Sequence, residues 1–366
     1  MNEQNRWLRR SSLAAAVTLI CSGPVLAEHA LRNPTTTPQL SGTTNRLQAV
    51  SPVDERVVWA SGINGTYVVT TDGGATWRAA VVPGAETLQF RDVQGVSEKI
   101  AYLLAAGPGT NSRIYKTVNG GKTWKLEFEA PDDQSYFYDC FAFWTPKRGI
   151  TMADGRNATG QFPAIRTTDG NTWKSIRLPP AQTDEGAFAA SGTCVATQGE
   201  TRAWIVTTSS RIFVTSDGGD RWASYSTPIA GGTGTAGTFT VAFRDGRHGV
   251  VGGGDFASAD VLPNFARSRD GGKTWDLTAQ APVPGAIFGL AYAQSSGEDD
   301  EDRGEDARQE RPKVVVTGPG GAAWTADEGD SWTSLAGVTG YWAVAFASER
   351  VGWLVGTQGR ILKISF

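Results

Sequence analysis

Six variants of one eight-residue pattern, one of them a residue short, an unusually high glycine count and alternating apolar runs flanking each copy predict an all-β fold. The architecture they specify is a seven-bladed β-propeller of four-stranded antiparallel blades, with the ring closed by the N-terminal segment. The copies are TTDGGATW (70–77), TVNGGKTW (117–124), TTDGNTW (167–173), TSDGGDRW (215–222), SRDGGKTW (268–275) and TADEGDSW (325–332). Their closing tryptophans are spaced 47, 49, 49, 53 and 57 residues apart. A period of this length marks an array of supersecondary units. The 366 residues include 45 Gly and 13 Trp, which fits many tight turns and many large apolar anchors.

Each copy has a physical reading. The acidic or amide residue at the third place (Asp72, Asn119, Asp169, Asp217, Asp270, Asp327) accepts hydrogen bonds from backbone N–H groups of its own turn. Glycine supplies the positive φ that a tight hairpin demands. The closing tryptophan (Trp77, Trp124, Trp173, Trp222, Trp275, Trp332) is expected to start the next strand and bury its ring against the neighbouring sheet. Runs such as Arg113-Ile114-Tyr115-Lys116 and Arg211-Ile212-Phe213-Val214 precede the copies and alternate as strands do. Two further strands precede each hairpin, so one unit is four antiparallel strands in about 50 residues, the blade of a propeller.

Six units are complete. Residues 340–366 supply three more strands and stop where another copy should follow. Residues 28–45 belong to no unit and are expected to add the fourth strand to the last blade, because an open blade would leave an unpaired edge. The expected organisation is therefore a segment 1–27 followed by one propeller, 28–366.

Residues 1–27 read as a signal peptide: Arg6, Arg9 and Arg10, an apolar run from Leu13 to Cys21, then Val25-Leu26-Ala27. Cleavage after Ala27 gives a periplasmic or secreted protein. The apolar run is shorter than the roughly 20 residues that span a bilayer, and no later stretch is apolar enough to do so. Cys21 raises a lipoprotein reading, against which stands the bulky Ile20. Two cysteines then remain, Cys140 and Cys194, in equivalent inner positions of adjacent blades. A cross-blade disulfide and two buried free thiols both fit. The acidic stretch at 297–312 reads as a disordered insertion within the first hairpin of blade six, and without it and the leader the chain is neutral.

Several motifs fail on context. GGKT at 120–123 and 271–274 lies inside the hairpins with no helix to follow, so it is not a phosphate loop. VVVTGPGGAA (314–323) runs straight into Trp324 and the sixth copy, which makes it a glycine-rich hairpin and not a dinucleotide site. His29 and His248 are the two histidines, and His248 falls in a turn of blade five. No catalytic set, metal ligand set or cofactor motif emerges, and the net charge of −3 argues against a nucleic-acid partner.

The six copies match the Asp-box, or BNR, repeat of sialidases and related propellers. The length, together with AFAASGTC and GYWAVAFA, resembles the photosystem II stability/assembly factor family and its bacterial exported relatives. That resemblance implies a monomeric, non-enzymatic propeller with a protein partner. The alternative is a sialidase-like glycoside hydrolase or carbohydrate-binding propeller, although the F/Y-R-I-P signature of sialidases is absent. Extra residues are spent on one face, in 130–137, 153–163, 178–186, 227–238 and 252–264, and loops carry function. Asp154, Arg156, Asp255, Asp260, Tyr138 and Asp139 are therefore the candidate binding residues of that face.

Overall fold

The computed structural model describes residues 33–294 and 312–366; the leader at 1–27 and nearly all of the acidic stretch lie outside the described residues. Residues from Pro34 to Phe366 form one compact unit of seven four-stranded sheets. Six sheets take their strands in sequence order. The seventh joins Tyr341–Phe346, Val351–Gly356 and Arg360–Ser365 to Thr35–Leu40. Thr35 pairs with Ser365 and Leu40 with Arg360, so the first strand of the unit closes the ring on the last. Every pairing is antiparallel, and the second-to-third-strand hairpin of blade 6 turns between Gly318 and Gly321, in the glycine-rich string that mimics a dinucleotide motif.

Gln39 fastens this closure. Its Oε1 accepts the indole N–H of Trp77 in blade 1 at 3.0 Å and that of Trp353 in blade 7 at 3.2 Å. Gly74, at φ +87°, lies against the same amide, and a Cβ there would stand 2.2 Å from the Gln39 oxygen.

The six turns share one hydrogen-bond pattern. In the first, Thr70 Oγ1 donates to Asp72 at 2.7 Å and accepts Gly74 N–H at 3.0 Å, while Asp72 accepts Thr76 N–H at 2.9 Å. Thr325, Asp327, Gly329 and Ser331 repeat it in the sixth. Asn119 substitutes in the second by accepting Thr123 N–H through Oδ1 and donating through Nδ2 to Thr123 Oγ1. The closing tryptophans are half buried, so the expected burial of their rings is partial. Four of them, Trp124, Trp173, Trp275 and Trp332, pack edge-on against a neighbouring ring, as Trp332 does on Phe265 at 4.8 Å between centroids. The fully buried tryptophans are Trp59, Trp204 and Trp353, on the second strands of blades 1, 4 and 7. Near-complete burial of such rings contributes on the order of 3 kcal/mol each.

Candidate functional site

The inner strands of the seven blades are Leu47–Pro52, Phe90–Gly95, Tyr138–Thr145, Val195–Gln198, Ala236–Phe243, Gly289–Tyr292 and Tyr341–Phe346. Five of them carry a register shift near their start, at Leu47/Ala49, Phe90/Asp92, Tyr138/Cys140, Thr238/Thr240 and Tyr341/Ala343. A bulge leaves one residue unpaired and re-aims its side chain. The skipped residues are Gln48, Arg91, Asp139, Phe239 and Trp342. Equivalent positions in the ring place them at one level of the central channel, on the face of the long connections. Phe288, just ahead of the sixth inner strand, joins the same layer by stacking on Phe239 at 5.5 Å and meeting Trp342 edge-on at 5.0 Å.

Blade 4 departs from this pattern. Its inner strand has four residues, against eight in blades 3 and 5, and the chain ahead of it runs through the centre of the ring. Ala187 N–H donates to Asp154 at 2.8 Å in blade 3, and Ala189 O accepts from Arg91 Nη1 at 3.1 Å in blade 2. Across the channel, Ser191 Oγ donates to Phe288 O at 2.6 Å in blade 6, and the hydroxyls of Thr193 and Thr240 meet at 2.7 Å in blade 5. Gly192 presses on the Asp92 carboxylate, where a Cβ would stand 2.3 Å from Oδ1, and it holds φ at +77°. Segment 187–193 is thus a plug. Its end is anchored by a disulfide between Cys194 and Cys140 of blade 3, with a Cα–Cα distance of 5.9 Å. Beyond the plug, toward the face of the six turns, lies a cavity of about 250 Å³ bounded by Val50, Asp92, Phe141, Gly192 and Phe346.

The mouth on the long-connection face is divided. Blades 4 to 7 contribute aromatic rings: Phe188 stacks on Phe239 at 3.9 Å, and Phe256, 48% exposed, meets both edge-on. Arg46 lies over Trp342 at 4.4 Å, a cation–π contact that turns the ring toward charge. Blades 1 to 3 contribute Gln48, Arg91, Asp139 and Asp154.

Their electrostatics are coupled. Burial pushes the Asp139 carboxyl well up, and Asp154 pushes it further, against the pull of Arg91. Burial also raises Asp154, opposed by the N–H groups of Ala187 and Gly155 and by Arg91. Desolvation, with Arg91 close by, disfavours the charge on Arg46. Both oxygens of Asp139, both amide atoms of Gln48, Arg46 Nε and Trp342 Nε1 are buried and make no hydrogen bond among the described residues. Most buried polar groups are paired, so six orphaned atoms around one opening mark a place where hydrogen bonds come from elsewhere.

Of the six residues expected on this face, the structure brings together Asp139 and Asp154. Tyr138 belongs in the core. It is 1% exposed and packs edge-on against Phe128 at 5.5 Å, since the bulge sends its side chain and that of Asp139 to different sides. Arg156 and Asp260 are exposed, and Asp255 accepts Ala257 N–H at 2.9 Å within its own turn. The residues that sequence reasoning missed are Arg46, Gln48, Arg91, Phe188, Phe239, Phe288 and Trp342. Aligning the inner strands at their second position would have found Gln48, Arg91 and Trp342.

His248 lies in its turn with Nδ1 2.7 Å from Asp245 Oδ2, beside an ion pair of Arg244 and Glu328 at 2.9 Å. No group of three or more His, Cys, Asp or Glu residues among the described residues is placed to hold a metal ion.

No family model matches the chain, and no curated protein matches it. Similar solved structures exist. YCF48 bound to D1 peptide aligns over 92% of this chain and 99% of its own, at 16% identity and a TM-score of 0.61. YCF48 from Cyanidioschyzon merolae aligns over 90% and 98%, at 15% identity and a TM-score of 0.60. The WD40 β-propeller domain of Doa1 aligns over 90% and 97%, at 12% identity and a TM-score of 0.54. The likeness is one of fold, and fold alone does not fix activity.

Proposed function

We propose that this chain is an exported, non-enzymatic propeller that binds a segment of a protein partner at its channel mouth and serves as an assembly or stability factor. The observation that carries this reading is the layer of bulged inner-strand residues. It presents unpaired donors and acceptors beside an aromatic platform, as an amphipathic peptide segment requires. Arginines meet the segment's acidic or carbonyl groups, and Phe188, Phe239 and Phe256 meet its apolar side chains. The similar propeller bound to a D1 peptide supports a peptide as the kind of ligand this fold accommodates. In the same reading the six turns are Asp-boxes of the BNR type, and the leader is removed after Ala27, leaving a periplasmic or secreted monomer.

A carbohydrate reading draws on the Asp139–Asp154 pair, because glycoside hydrolysis uses two carboxyl groups, one of raised pKa as acid and one ionised, although burial raises both of these. Against it, the F/Y-R-I-P signature that supplies the first carboxylate-clamping arginine of sialidases is absent from the sequence. Affinity capture from periplasmic extract, run beside a panel of fluorogenic glycosides, separates the two. One stoichiometric protein, lost with Arg91→Ala, is expected. Turnover abolished by Asp154→Asn would establish the enzyme instead.

A further inference from the structure

The repeat contains an exception on the face opposite the mouth. Six blade junctions bring a third or fourth strand against the turn of the next blade, and at five of them a cation donates to a carbonyl of that turn. Lys363 reaches Gly73 O at 3.1 Å, Arg78 reaches Gly120 O at 2.5 Å and Lys116 reaches Gly170 O at 3.2 Å. Arg166 reaches Gly218 O at 2.8 Å, and Arg267 reaches Asp327 O at 3.2 Å. Between blades 4 and 5 no cation among the described residues does so. The residue aligned with Lys116, Arg166 and Arg267, immediately before the turn's first hydroxyl residue, is Val214. The carbonyl of Gly271 takes the neutral indole of Trp204 at 2.9 Å instead.

The missing bridge leaves a cleft of about 500 Å³, with Val214 and Tyr225 on its wall and Arg202, Arg247 and Lys273 around it. None of these three cations forms an ion pair among the described residues. The carboxylate at the cleft, Asp270, is already taken by Ser268 Oγ, Thr274 Oγ1 and the N–H groups of Lys273 and Thr274. The backbone is fixed: Arg247 O accepts Gly271 N–H at 2.9 Å, and Arg202 packs over Gly246, where a Cβ would meet its guanidinium. A rigid cleft with three cations against the single carboxylate of Asp270, and an aliphatic patch, is complementary to one kind of ligand.

We infer that this cleft is a second binding site, for an acidic peptide segment with an aliphatic side chain between its carboxylates. The carboxylates face Arg202, Arg247 and Lys273, and the aliphatic group rests on Val214 and the Tyr225 ring. Val214 is small and branched, which suits an aliphatic side chain better than the flat face of a sugar. The site does not depend on the reading of the channel mouth.

The test is a titration of the full chain with a fluorescent pentapeptide of four glutamates flanking a central leucine, beside its lysine counterpart. Binding of the acidic peptide is expected, weakening as salt rises, with none for the basic one. Arg247→Ala with Lys273→Ala should lower affinity at least tenfold. Val214→Arg should restore the bridge to Gly271 O, fill the cleft and abolish binding, with circular dichroism confirming that the ring is intact. Lys122→Ala, at the place in the blade 2 turn that Lys273 holds in blade 5, should leave the affinity unchanged. Equal binding by wild type and Val214→Arg would overturn the assignment, as would loss of binding in Lys122→Ala or equal affinity for the acidic and basic peptides.

Discussion

Replacing Gln39 with alanine tests ring closure at its most concentrated point. One amide oxygen accepts two indole N–H groups, from Trp77 at 3.0 Å and Trp353 at 3.2 Å, and so ties the closing strand to blades 1 and 7. Trp353 is completely buried, so its orphaned N–H costs about 1–3 kcal/mol. Trp77 is half exposed and can turn to water, which limits its loss to about 0.5–1.5 kcal/mol. The sum is roughly 1.5–4.5 kcal/mol. An unfolding entropy of about 2.1 cal/mol/K per residue gives the ring about 0.7 kcal/mol/K, hence a fall in Tm of roughly 2–6 °C. Differential scanning calorimetry should show this for Gln39→Ala. Gln39→Glu keeps the acceptors and should recover most of the loss. Thr37→Ala, at an exposed position two residues along the same strand, should shift Tm by under about 1 °C. A Gln39→Ala curve that overlays the Thr37→Ala curve would refute the closure role.

Three further outcomes follow from the same structure. Replacing Cys140 and Cys194 together by serine opens a loop of 54 residues, worth about 4 kcal/mol in the chain-entropy model, and should also speed amide exchange across 187–193; exchange there at the wild-type rate would remove the plug's anchor. Asp139 has a raised folded-state pKa, so the native state holds its proton longer than the unfolded chain, and wild-type stability should fall as pH rises from about 4 through the folded-state pKa. Asp139→Asn should flatten part of that fall and be more stable than wild type at pH 7, with Asp92 and Asp154 supplying the remaining slope; identical profiles in a Tm-versus-pH series would contradict it. Glu328, at φ 54°, accepts from Tyr292 at 2.8 Å and Arg244 at 2.9 Å between blades 5 and 6, so Glu328→Ala, which keeps the Cβ and hence the backbone strain, should cost about 3 kcal/mol in denaturant melts.

The ring was legible in the sequence because its information is periodic. The turn chemistry of Thr70-Asp72-Gly74 recurs six times, and the missing fourth strand of the last blade pointed to the N-terminal segment. The mouth was less legible because a bulge breaks the two-residue alternation on which strand reading depends. Tyr138 and Asp139 look like neighbours on one loop, yet one enters the core and the other the channel. The plug was hidden for a related reason. Blade 4 spends 187–193 on contacts with blades 2, 3, 5 and 6, and a coil that bonds across the ring has no local period to detect. Tryptophan burial followed strand position: second-strand Trp59, Trp204 and Trp353 fill the spaces between blades, while the turn tryptophans are half buried. The basic cleft becomes visible when blades are compared position by position and Val214 stands where a cation is expected.

The binding role of the channel mouth is tested most directly by site-specific photo-crosslinking in producing cells. A photoreactive phenylalanine analogue replaces Phe256, beside the aromatic platform, or Val118, 63% exposed in the second turn on the opposite face. A discrete protein adduct is expected from position 256, none from 118, and loss of the adduct when Arg46→Ala and Arg91→Ala are added. An adduct from position 118 alone, or one from 256 that survives removal of both arginines, would contradict a partner held at the mouth.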